Sequence, residues 1–513
     1  MIVSKANKVL VLKDADPAQI TTLVPSAKVI KHEGLQLVAV PHKLENVRAL
    51  RSLGIEAPSP IEYHYEWSGQ YQPFDAQRAT AAFLTLHDRA FVLNDLGTGK
   101  TVATLWAYDY LRSIGKANKM LVVSPLSTLE RAWADEIFKN FPHLTCAVLH
   151  GNRDRRLKLL KEDVDIYIIN HDGVKVVEEQ LIKRDDIDTV AIDEVAAFRN
   201  AQTTRWRSMH KIVANKKRVW GLTGTPTPNA PTDAYGQAKL IVPQRVPKFF
   251  NAFRDMVMKQ ISPFRWVPRP NATEIVADVL QPSIRFSRDD CVDLPETIYQ
   301  MRHVELTPEQ KTAYDEMLRH LKLELDEGSI VALNEAVKLL KLVQIGSGVV
   351  YNSDGEDVLI TSAPRIDVVK EVIDEAQGKV IVFVPFKGSL RHIAEELAKD
   401  YTVETIDGSV PKHRRDDIFD WFQNKPNPRV LVAQPASMSH GLTLTAANTI
   451  VWFAPITSNE VYQQANARIV RPGQTRGTLI VHIESTPVER RIYQRLQDKQ
   501  SLQGLLLDII HEM

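Results

Sequence analysis

Cysteine is scarce in this sequence, and long apolar runs are missing from it. Only Cys146 and Cys291 occur among 513 residues, and neither lies in a Cys-x-x-Cys pair or beside histidines at zinc-binding spacing. This pattern excludes a disulfide framework and a structural zinc site, and it is typical of a reducing compartment. No apolar run approaches the roughly 18 residues of a membrane span, and the N-terminus lacks the apolar core of a signal peptide. We therefore expect a cytoplasmic protein without a membrane partner.

An excess of charge is also missing. The 64 Lys and Arg residues are balanced by 63 Asp and Glu residues, which leaves a formal net charge of +1. Such a total neither requires nor excludes a nucleic-acid partner, because a neutral protein can still contain a basic cleft. Apolar residues at 44% and charged residues at 25% are globular averages. A chain of this length is too long for one ordinary core, so we expect three or four domains.

A glycine loop follows a strand-like apolar run between Phe91 and Thr101, in the order Phe-Val-Leu-Asn-Asp-Leu-Gly-Thr-Gly-Lys-Thr. Glycines let backbone N–H groups turn inward, and the N-terminus of the following helix adds partial positive charge. In such a loop Lys100 reaches the outer phosphates and the Thr101 hydroxyl holds Mg²⁺. A plain glycine turn is the alternative, because Asn94 stands where the pattern has its first glycine. We predict that a nucleoside triphosphate and Mg²⁺ bind here, with contacts from Gly97, Thr98, Gly99, Lys100 and Thr101.

Two acids follow another apolar run, Val190 to Ile192. In a phosphate-loop enzyme, the first acid lies near Mg²⁺ and the second orients and deprotonates the attacking water. We therefore assign Asp193 to the metal and Glu194 to catalysis. An exposed loop is the alternative for such a pair taken alone, but its combination with the glycine loop favours the catalytic interpretation.

Strand-like runs alternate with helical patterns over two long stretches, which predicts an α/β protein with two doubly wound parallel sheets. The predicted strands of the first are Phe91 to Leu93, Met120 to Val123, Ile166 to Ile169, Val190 to Ile192 and Val219 to Leu222. Those of the second are Val380 to Val384, Val403 to Ile406, Val430 to Val432, Thr449 to Phe453 and Leu479 to His482. The predicted domains are a small N-terminal α/β accessory domain (1–64), a first lobe (65–245), a helical insertion and linker (246–362), a second lobe (363–485) and a C-terminal helical segment (486–513).

Several motifs occur in an order that resembles superfamily-two helicases, and within them the Swi/Snf family of DNA-dependent ATPases. They are Asn-Asp-Leu-Gly-Thr-Gly-Lys-Thr (94–101), Ser-Pro-Leu-Ser (124–127) with Trp133 downstream, Asp-Glu-Val-Ala (193–196), Leu-Thr-Gly-Thr-Pro (222–226), Asp-Gly-Ser (407–409), Gly-Leu-Thr-Leu-Thr-Ala-Ala (441–447) and Arg-Pro-Gly-Gln (471–474). The resemblance covers about residues 70 to 490. The sequence carries no recognisable chromatin-reading segment, which favours a compact bacterial or phage member acting in the cytoplasm of a bacterial cell or a phage-infected host.

The resemblance implies two RecA-like lobes with ATP between them, and it implies roles for further residues. Gln77 corresponds to the glutamine that recognises adenine, and Gly441 joins the nucleotide-binding set. Arg468 and Arg471, at i and i+3 on one helical face, correspond to the arginines that the second lobe presents to the γ-phosphate. Without this context, a solvated glutamine and a surface pair of arginines would be the ordinary readings.

The resemblance also implies a track for duplex or branched DNA, made by small hydroxyl residues that bind phosphate oxygens without reading bases. Its members would be Ser124, Thr223, Thr225, Ser409 and Ser437, with Thr223 and Thr225 coupling ATP to DNA. Each of them alone is a common cap or turn residue.

At three places the sequence departs from the family pattern in ways that bear on how ATP hydrolysis is coupled to movement. Ala196 replaces the usual histidine after Asp193-Glu194, Ala467 stands where an acid commonly precedes the first arginine, and Asn94 and Asp95 replace an acid pair. The catalytic acid, lysine and arginines remain, so we expect activity and question only how hydrolysis is coupled to movement.

We expect an ATP-dependent DNA translocase or helicase, acting in DNA replication, repair or recombination. The alternatives are a strand-separating DNA or RNA helicase and a catalytically inactive nucleic-acid-binding scaffold. We further expect a monomer whose N-terminal domain binds substrate or a protein partner.

Overall fold

The computed structural model divides into two compact units, and each is described here by itself. The first contains Met1–Pro226, Asp233–Phe253 and Glu274–Cys291, and the second contains Thr227–Thr232, Arg254–Thr273 and Val292–Met513. The structure describes residues 1–13, 15–32, 35–70, 72–262, 265–287, 295–326, 332–351, 357–359, 362–438, 443–471 and 473–498. Among these residues, no helix is both long and apolar enough to cross a bilayer.

The first unit begins with a small α/β domain. Its elements are β1 (Ile2–Ser4), β2 (Val9–Leu12), α1 (Pro17–Leu23), β3 (Lys28–His32), β4 (Leu35–Pro41) and α2 (Leu44–Ser52). The strands form an antiparallel sheet in the order β1-β2-β4-β3. Alternate strand residues such as Leu10 and Val40 are fully buried, and they belong to the same core as Val47 and Leu50 of α2. Alternation along the strands and helical spacing along α2 thus direct these side chains into one core.

The rest of the first unit surrounds a seven-stranded parallel sheet in the order β13-β5-β10-β9-β6-β8-β7. Its elements are α3 (Ile61–His64), α4 (Asp75–Leu86), β5 (Arg89–Val92), α5 (Lys100–Ser113), β6 (Lys119–Ser124), α6 (Asp135–Asn140), β7 (Cys146–Leu149), α7 (Arg153–Leu160), β8 (Ile166–Asn170), α8 (Glu178–Ile182), β9 (Ile187–Asp193), α9 (Thr204–Val213), β10 (Arg218–Leu222), α10 (Ala234–Ile241) and α11 (Phe250–Val257). The second half of α11, from Arg254, is assigned to the second unit together with the antiparallel hairpin that follows, β11 (Met258–Ser262) and β12 (Arg265–Pro268). The chain returns to the first unit within α12 (Ala272–Val279), which leads to β13 (Ser283–Ile284).

The second unit contains a six-stranded parallel sheet in the order β14-β21-β20-β17-β19-β18. Its further elements are β14 (Thr297–His303), α13 (Pro308–Asp326), α14 (Ala332–Ser347), β15 (Val349–Tyr351), β16 (Asp357–Leu359), α15 (Ala363–Glu375), β17 (Lys379–Phe383), α16 (Lys387–Leu397), β18 (Val403–Ile406), α17 (Lys412–Asn424), β19 (Val430–Ala433), β20 (Ala447–Trp452), α18 (Asn459–Asn466), β21 (Thr478–Glu484) and α19 (Pro487–Gln497).

The predicted fold class, two RecA-like doubly wound sheets with helical insertions, is confirmed. Central strands are apolar and buried, β19 along its whole length and β17 from Val380 onward, as parallel sheets covered on both faces require. All ten predicted strands are present. The segment 246–362, which we predicted to be a helical insertion and linker, also supplies an edge strand to each sheet, β13 and β14.

A buried ion pair ties α15 to α19 in the second unit. The Arg365 Nη2 lies 2.8 and 2.7 Å from the two carboxylate oxygens of Glu489, and both side chains are almost completely buried. Arg365 also donates to the Phe453 carbonyl oxygen at 2.6 Å and to the Ser485 hydroxyl at 2.9 Å. These acceptors offset much of the cost of removing the guanidinium from water.

Arg365→Ala should lower the free energy of unfolding of the second unit by about 3–5 kcal/mol, because Glu489 would remain buried without its partner. Urea unfolding of the full chain, followed by circular dichroism, measures this change. Arg302→Ala is the matched control, since the Arg302–Glu375 pair is more exposed and should contribute about 1 kcal/mol or less. Equal losses in the two variants would contradict the role of burial.

Candidate nucleotide site

The glycine loop joins β5 to α5 in the conformation that a phosphate cradle requires. Gly97 and Gly99 have φ angles of 84° and 76°, in the left-handed region where side chains are disfavoured. Helix α5 begins directly after them, at Lys100. A Cβ atom added to Gly99 would lie 1.9 Å from Nε2 of Gln77, so a side chain at this position would displace the Gln77 amide.

The predicted adenine-recognition residue therefore lies against the loop. Gln77 is 4% exposed on the first turn of α4, and its Oε1 accepts a hydrogen bond from the Phe74 backbone N–H at 3.0 Å. This contact caps the start of the helix. It leaves the side-chain amide Nε2 directed at the backbone of Gly99.

Asn94 explains how the loop keeps its shape without its first glycine. Its side chain is 2% exposed, donates to the Thr80 hydroxyl at 2.9 Å and accepts from the Phe286 backbone N–H at 3.0 Å. The Asp95 N–H in turn donates to the Phe286 carbonyl oxygen at 3.0 Å. The amide thus fastens the start of the loop to α4 on one side and to the segment after β13 on the other.

Polar side chains of the loop bond to its own backbone. The Lys100 ammonium donates to the carbonyl oxygens of Asn94 and Asp95 at 2.9 and 3.0 Å, and the Thr98 hydroxyl donates to that of Asp95 at 2.8 Å. Lys100 is 8% exposed. A phosphate oxygen would replace one of these neutral acceptors with a charged one, which makes a stronger hydrogen bond. Thr101 follows on the first turn of α5 and is half-buried.

The Asp193 carboxylate lies at the end of β9 and is held by three donors. Its Oδ2 accepts from the Ser124 hydroxyl and from the Trp133 indole N–H, both at 3.0 Å. Its Oδ1 accepts from the Glu194 N–H at 3.1 Å. The Asp193 carboxylate and the Thr101 hydroxyl, which the sequence assigns to the metal, would offer a sparse set of oxygen donors. Mg²⁺ fits such a set, because it takes most of its ligands from water and substrate phosphates.

Glu194 has a backbone conformation that is unusual for a residue with a side chain, with φ 48° and ψ 54°. The left-handed region costs such a residue roughly 1–3 kcal/mol and occurs most often at functional sites. Its Oε2 lies 3.4 Å from the Thr223 hydroxyl, which also accepts from the Thr225 N–H at 3.2 Å. The predicted catalytic acid and two predicted coupling residues are therefore linked at one edge of the sheet.

His171, which we did not select from the sequence, supports this turn from the end of β8. Its ring Nε2 donates to the Asp193 carbonyl oxygen at 2.8 Å, and its backbone N–H donates to the Ser124 carbonyl oxygen at 3.2 Å. The ring packs edge-on against Phe198 at 5.2 Å. The signal in the sequence was its place directly after a strand of the sheet.

The residues predicted for the DNA track lie in different environments. Ser124 is fully buried, and its described side-chain contacts are with Asp193 and with Thr128 at 2.5 Å. Ser409 follows β18 and donates to the Asp407 carboxylate at 2.5 Å; this bond lowers the pKa of Asp407. Ser437 lies in a 3₁₀ turn after β19 and is half-buried. These residues lie at the carboxyl ends of the strands in their own sheets.

The two predicted arginines follow α18 and do not lie on a helical face as we expected. The helix ends at Asn466, with Ala467 as its C-cap, and residues 467–470 form turns. Arg468 is 5% exposed, its Nε donates to the Gln464 carbonyl oxygen at 2.8 Å and its own carbonyl oxygen accepts from the Leu444 N–H. Arg471 is half-buried. Gly441, predicted to contact nucleotide, lies outside the described residues.

Comparison with known proteins assigns this site to a family. Residues 77–346, more than half of the chain, match the SNF2-related domain, and residues 364–473 match the helicase conserved C-terminal domain. The chain belongs to the SNF2-related family. This membership makes it a DNA-dependent ATPase of helicase superfamily two, as its ordered motifs predicted.

Named relatives come from phage, animals and archaea. Putative protein p41 of Acyrthosiphon pisum secondary endosymbiont phage 1 is 28% identical over 444 residues, which cover 82% of this chain and 94% of the relative. The Xenopus tropicalis SWI/SNF-related matrix-associated actin-dependent regulator of chromatin subfamily A-like protein 1 is 27% identical over 75% of this chain, and the match spans 40% of that longer protein. The Sulfolobus solfataricus SWI2/SNF2 ATPase core in complex with dsDNA is 24% identical with a TM-score of 0.42, over 86% of this chain and 94% of that one.

Trp133→Phe should lower kcat for ATP hydrolysis by about tenfold and raise the Mg²⁺ concentration needed for half-maximal rate. The variant removes a hydrogen bond to a charged group, worth about 1.5–3 kcal/mol, while it keeps an aromatic ring in the core. Trp106→Phe is the matched control, because Trp106 is also fully buried but its indole donates to the Ser68 carbonyl oxygen. A Mg²⁺ dependence that is unchanged in Trp133→Phe would contradict the role given to this tryptophan.

Proposed function

We propose that this SNF2-related ATPase is a motor that moves along double-stranded or branched DNA in replication, repair or recombination. The observation that supports the proposal is the grouping, in the first unit, of residues that the sequence assigns to ATP binding and hydrolysis: Gln77 against the glycine loop, Lys100 in the loop, and oriented Asp193 beside Glu194. A protein that only bound nucleic acid would not need these groups together. The set therefore argues against the inactive scaffold.

In this proposal each residue of the site has one role. Gln77 binds adenine, Lys100 binds the outer phosphates of ATP, and Thr101 with Asp193 holds Mg²⁺. Glu194 accepts the proton of the attacking water, and Arg468 and Arg471 of the second unit stabilise the charge that develops on the γ-phosphate. Thr223 and Thr225 couple the state of Glu194 to bound DNA, while Ser409 and Ser437 bind phosphates of the track. When bound, Mg²⁺ would neutralise part of the negative charge of the ATP phosphates.

The relatives support DNA as the partner. One of them, from Xenopus tropicalis, is named as a regulator of chromatin. A strand-separating helicase is the second candidate, because curated relatives in Mycoplasma are named ATP-dependent helicases. We favour a monomer, with the N-terminal α/β domain as the site for a substrate or protein partner.

Steady-state ATP hydrolysis measured without nucleic acid, with single-stranded DNA, with blunt duplex and with a branched junction tests the proposal. We expect duplex or junction to raise kcat at least tenfold, with Lys100→Ala as the blank. Stimulation by single strands alone would favour the strand-separating helicase. No stimulation by any of the three would refute the DNA motor.

Glu194→Gln should retain ATP affinity and lose turnover by at least a hundredfold, because glutamine keeps the shape of the side chain but cannot accept the proton of water. Equilibrium binding of labelled ATP and single-turnover hydrolysis measure the two effects separately. Glu179→Gln, an exposed acid on α8, serves as the control. Normal turnover in Glu194→Gln would exclude this residue as the base.

A further inference from the structure

The β11–β12 hairpin of the second unit is a small element with two unlike faces. In its antiparallel register Gln260 lies opposite Trp266, and Lys259 lies opposite Val267. The Trp266 side is covered by Arg254 from the end of α11, whose guanidinium lies 4.0 Å from the ring centroid. The same guanidinium pairs with Asp255 at 3.1 Å. This side of the hairpin therefore packs against its own unit.

The base of the hairpin is fixed by Arg269. Its side-chain Nε donates to the carbonyl oxygens of Asp255 and Met258 at 2.9 and 3.1 Å, and its backbone N–H donates to the Val257 carbonyl oxygen at 2.9 Å. An isolated two-stranded hairpin is only marginally stable in water. These bonds and the Arg254–Trp266 stack hold the strands against the end of α11, so the exposed residues of β11 are presented on a supported backbone.

Those exposed residues are basic, polar and apolar in sequence. Lys259, Gln260, Ile261 and Ser262 are all exposed, and Ile261, at the irregularity between Gln260 and Ser262, exposes 50% of its surface. The stretch 254–269 contains four basic residues, Arg254, Lys259, Arg265 and Arg269, against one acid, Asp255. That acid is the one paired with Arg254, and neither strand of the hairpin contains another.

We propose that exposed residues of β11 bind the nucleic acid on which this ATPase acts, an inference that rests on the proposed function. Lys259 pairs with a backbone phosphate, the Ser262 hydroxyl donates to a phosphate or sugar oxygen, and Ile261 contacts the apolar surface of a sugar or base. Gln260 lies opposite Trp266, on the other face of the hairpin, and takes no part in this contact. Apolar side chains next to basic ones are used in this way where proteins grip or wedge DNA.

Size and charge favour nucleic acid over a protein as the occupant. Five residues of strand span about 17 Å, and two strands are about 10 Å wide. The area of such a surface is far smaller than the roughly 800 Å² that each partner buries in a stable protein interface. A phosphate contact needs little area, because its free energy comes from the release of counterions.

The salt dependence of duplex binding tests the proposal. For Lys259→Gln we expect the slope of log K against log[salt] to fall by about 0.9, and affinity near 0.1 M salt to fall about five- to tenfold, as the loss of one phosphate contact requires. Lys399→Gln is the control, because Lys399 is an exposed lysine of the same unit that pairs with Glu396. It should leave the slope unchanged. Thermal unfolding of each variant checks that the fold is retained.

A photoreactive amino acid at position 261 tests direct contact. We expect ultraviolet crosslinking to duplex DNA, and none from the same amino acid placed at Lys399. A Lys259→Gln slope equal to that of the unchanged protein, together with no crosslink from position 261, would overturn the inference even if duplex DNA stimulates ATP hydrolysis. If no nucleic acid stimulates the unchanged protein, the proposed function and this inference fail together.

Discussion

The hydrogen bonds around Asp193 are the constraint on which the proposed nucleotide site of the first unit depends. Ser124 and Trp133 donate to one carboxylate oxygen, and His171 holds the carbonyl oxygen of the same residue. With the acid fixed at side chain and main chain, the next residue is forced into its left-handed turn. Strain of this kind persists only where the surroundings over-determine it. The position of Glu194 is therefore a consequence of the groups that hold Asp193.

The glycine loop is held by a comparable device, built from residues that are distant in sequence. Asn94 binds Thr80 of α4 and the Phe286 main chain, nearly two hundred residues later. A glycine at this position would permit the turn but would make neither bond. The two hydrogen bonds of the Asn94 side chain fix the start of the loop, where a glycine would only make the backbone more flexible. Asparagine in place of the usual first glycine is therefore compatible with a well-formed phosphate loop.

The central strands could be predicted from the sequence because they are buried. Strands such as β6, β17 and β19 are continuous apolar runs because helices cover both faces of a parallel sheet, and such runs are readable without a structure. Edge strands have no such signature: β14 alternates between half-buried and exposed residues, and β13 is two residues long. The residues that we propose for the ATP site were selected from the order of the motifs, and their roles stay predictions. The contacts of Asn94 and His171 were not, because they join segments that only the folded chain brings together.

Ala196 leaves the proposed catalytic acid, Glu194, without the histidine that the family pattern places two residues after it. Ala196 is buried and offers no polar side chain. The hydroxyl of Thr223 instead lies 3.4 Å from Glu194 and accepts the N–H of Thr225, so it bridges the acid and the loop after β10. A hydroxyl can donate to one group and accept from another at once, which suits it to a relay between two elements. A shift of that loop would therefore reach the Glu194 carboxylate through one hydrogen bond, without the histidine that the family pattern leads one to expect.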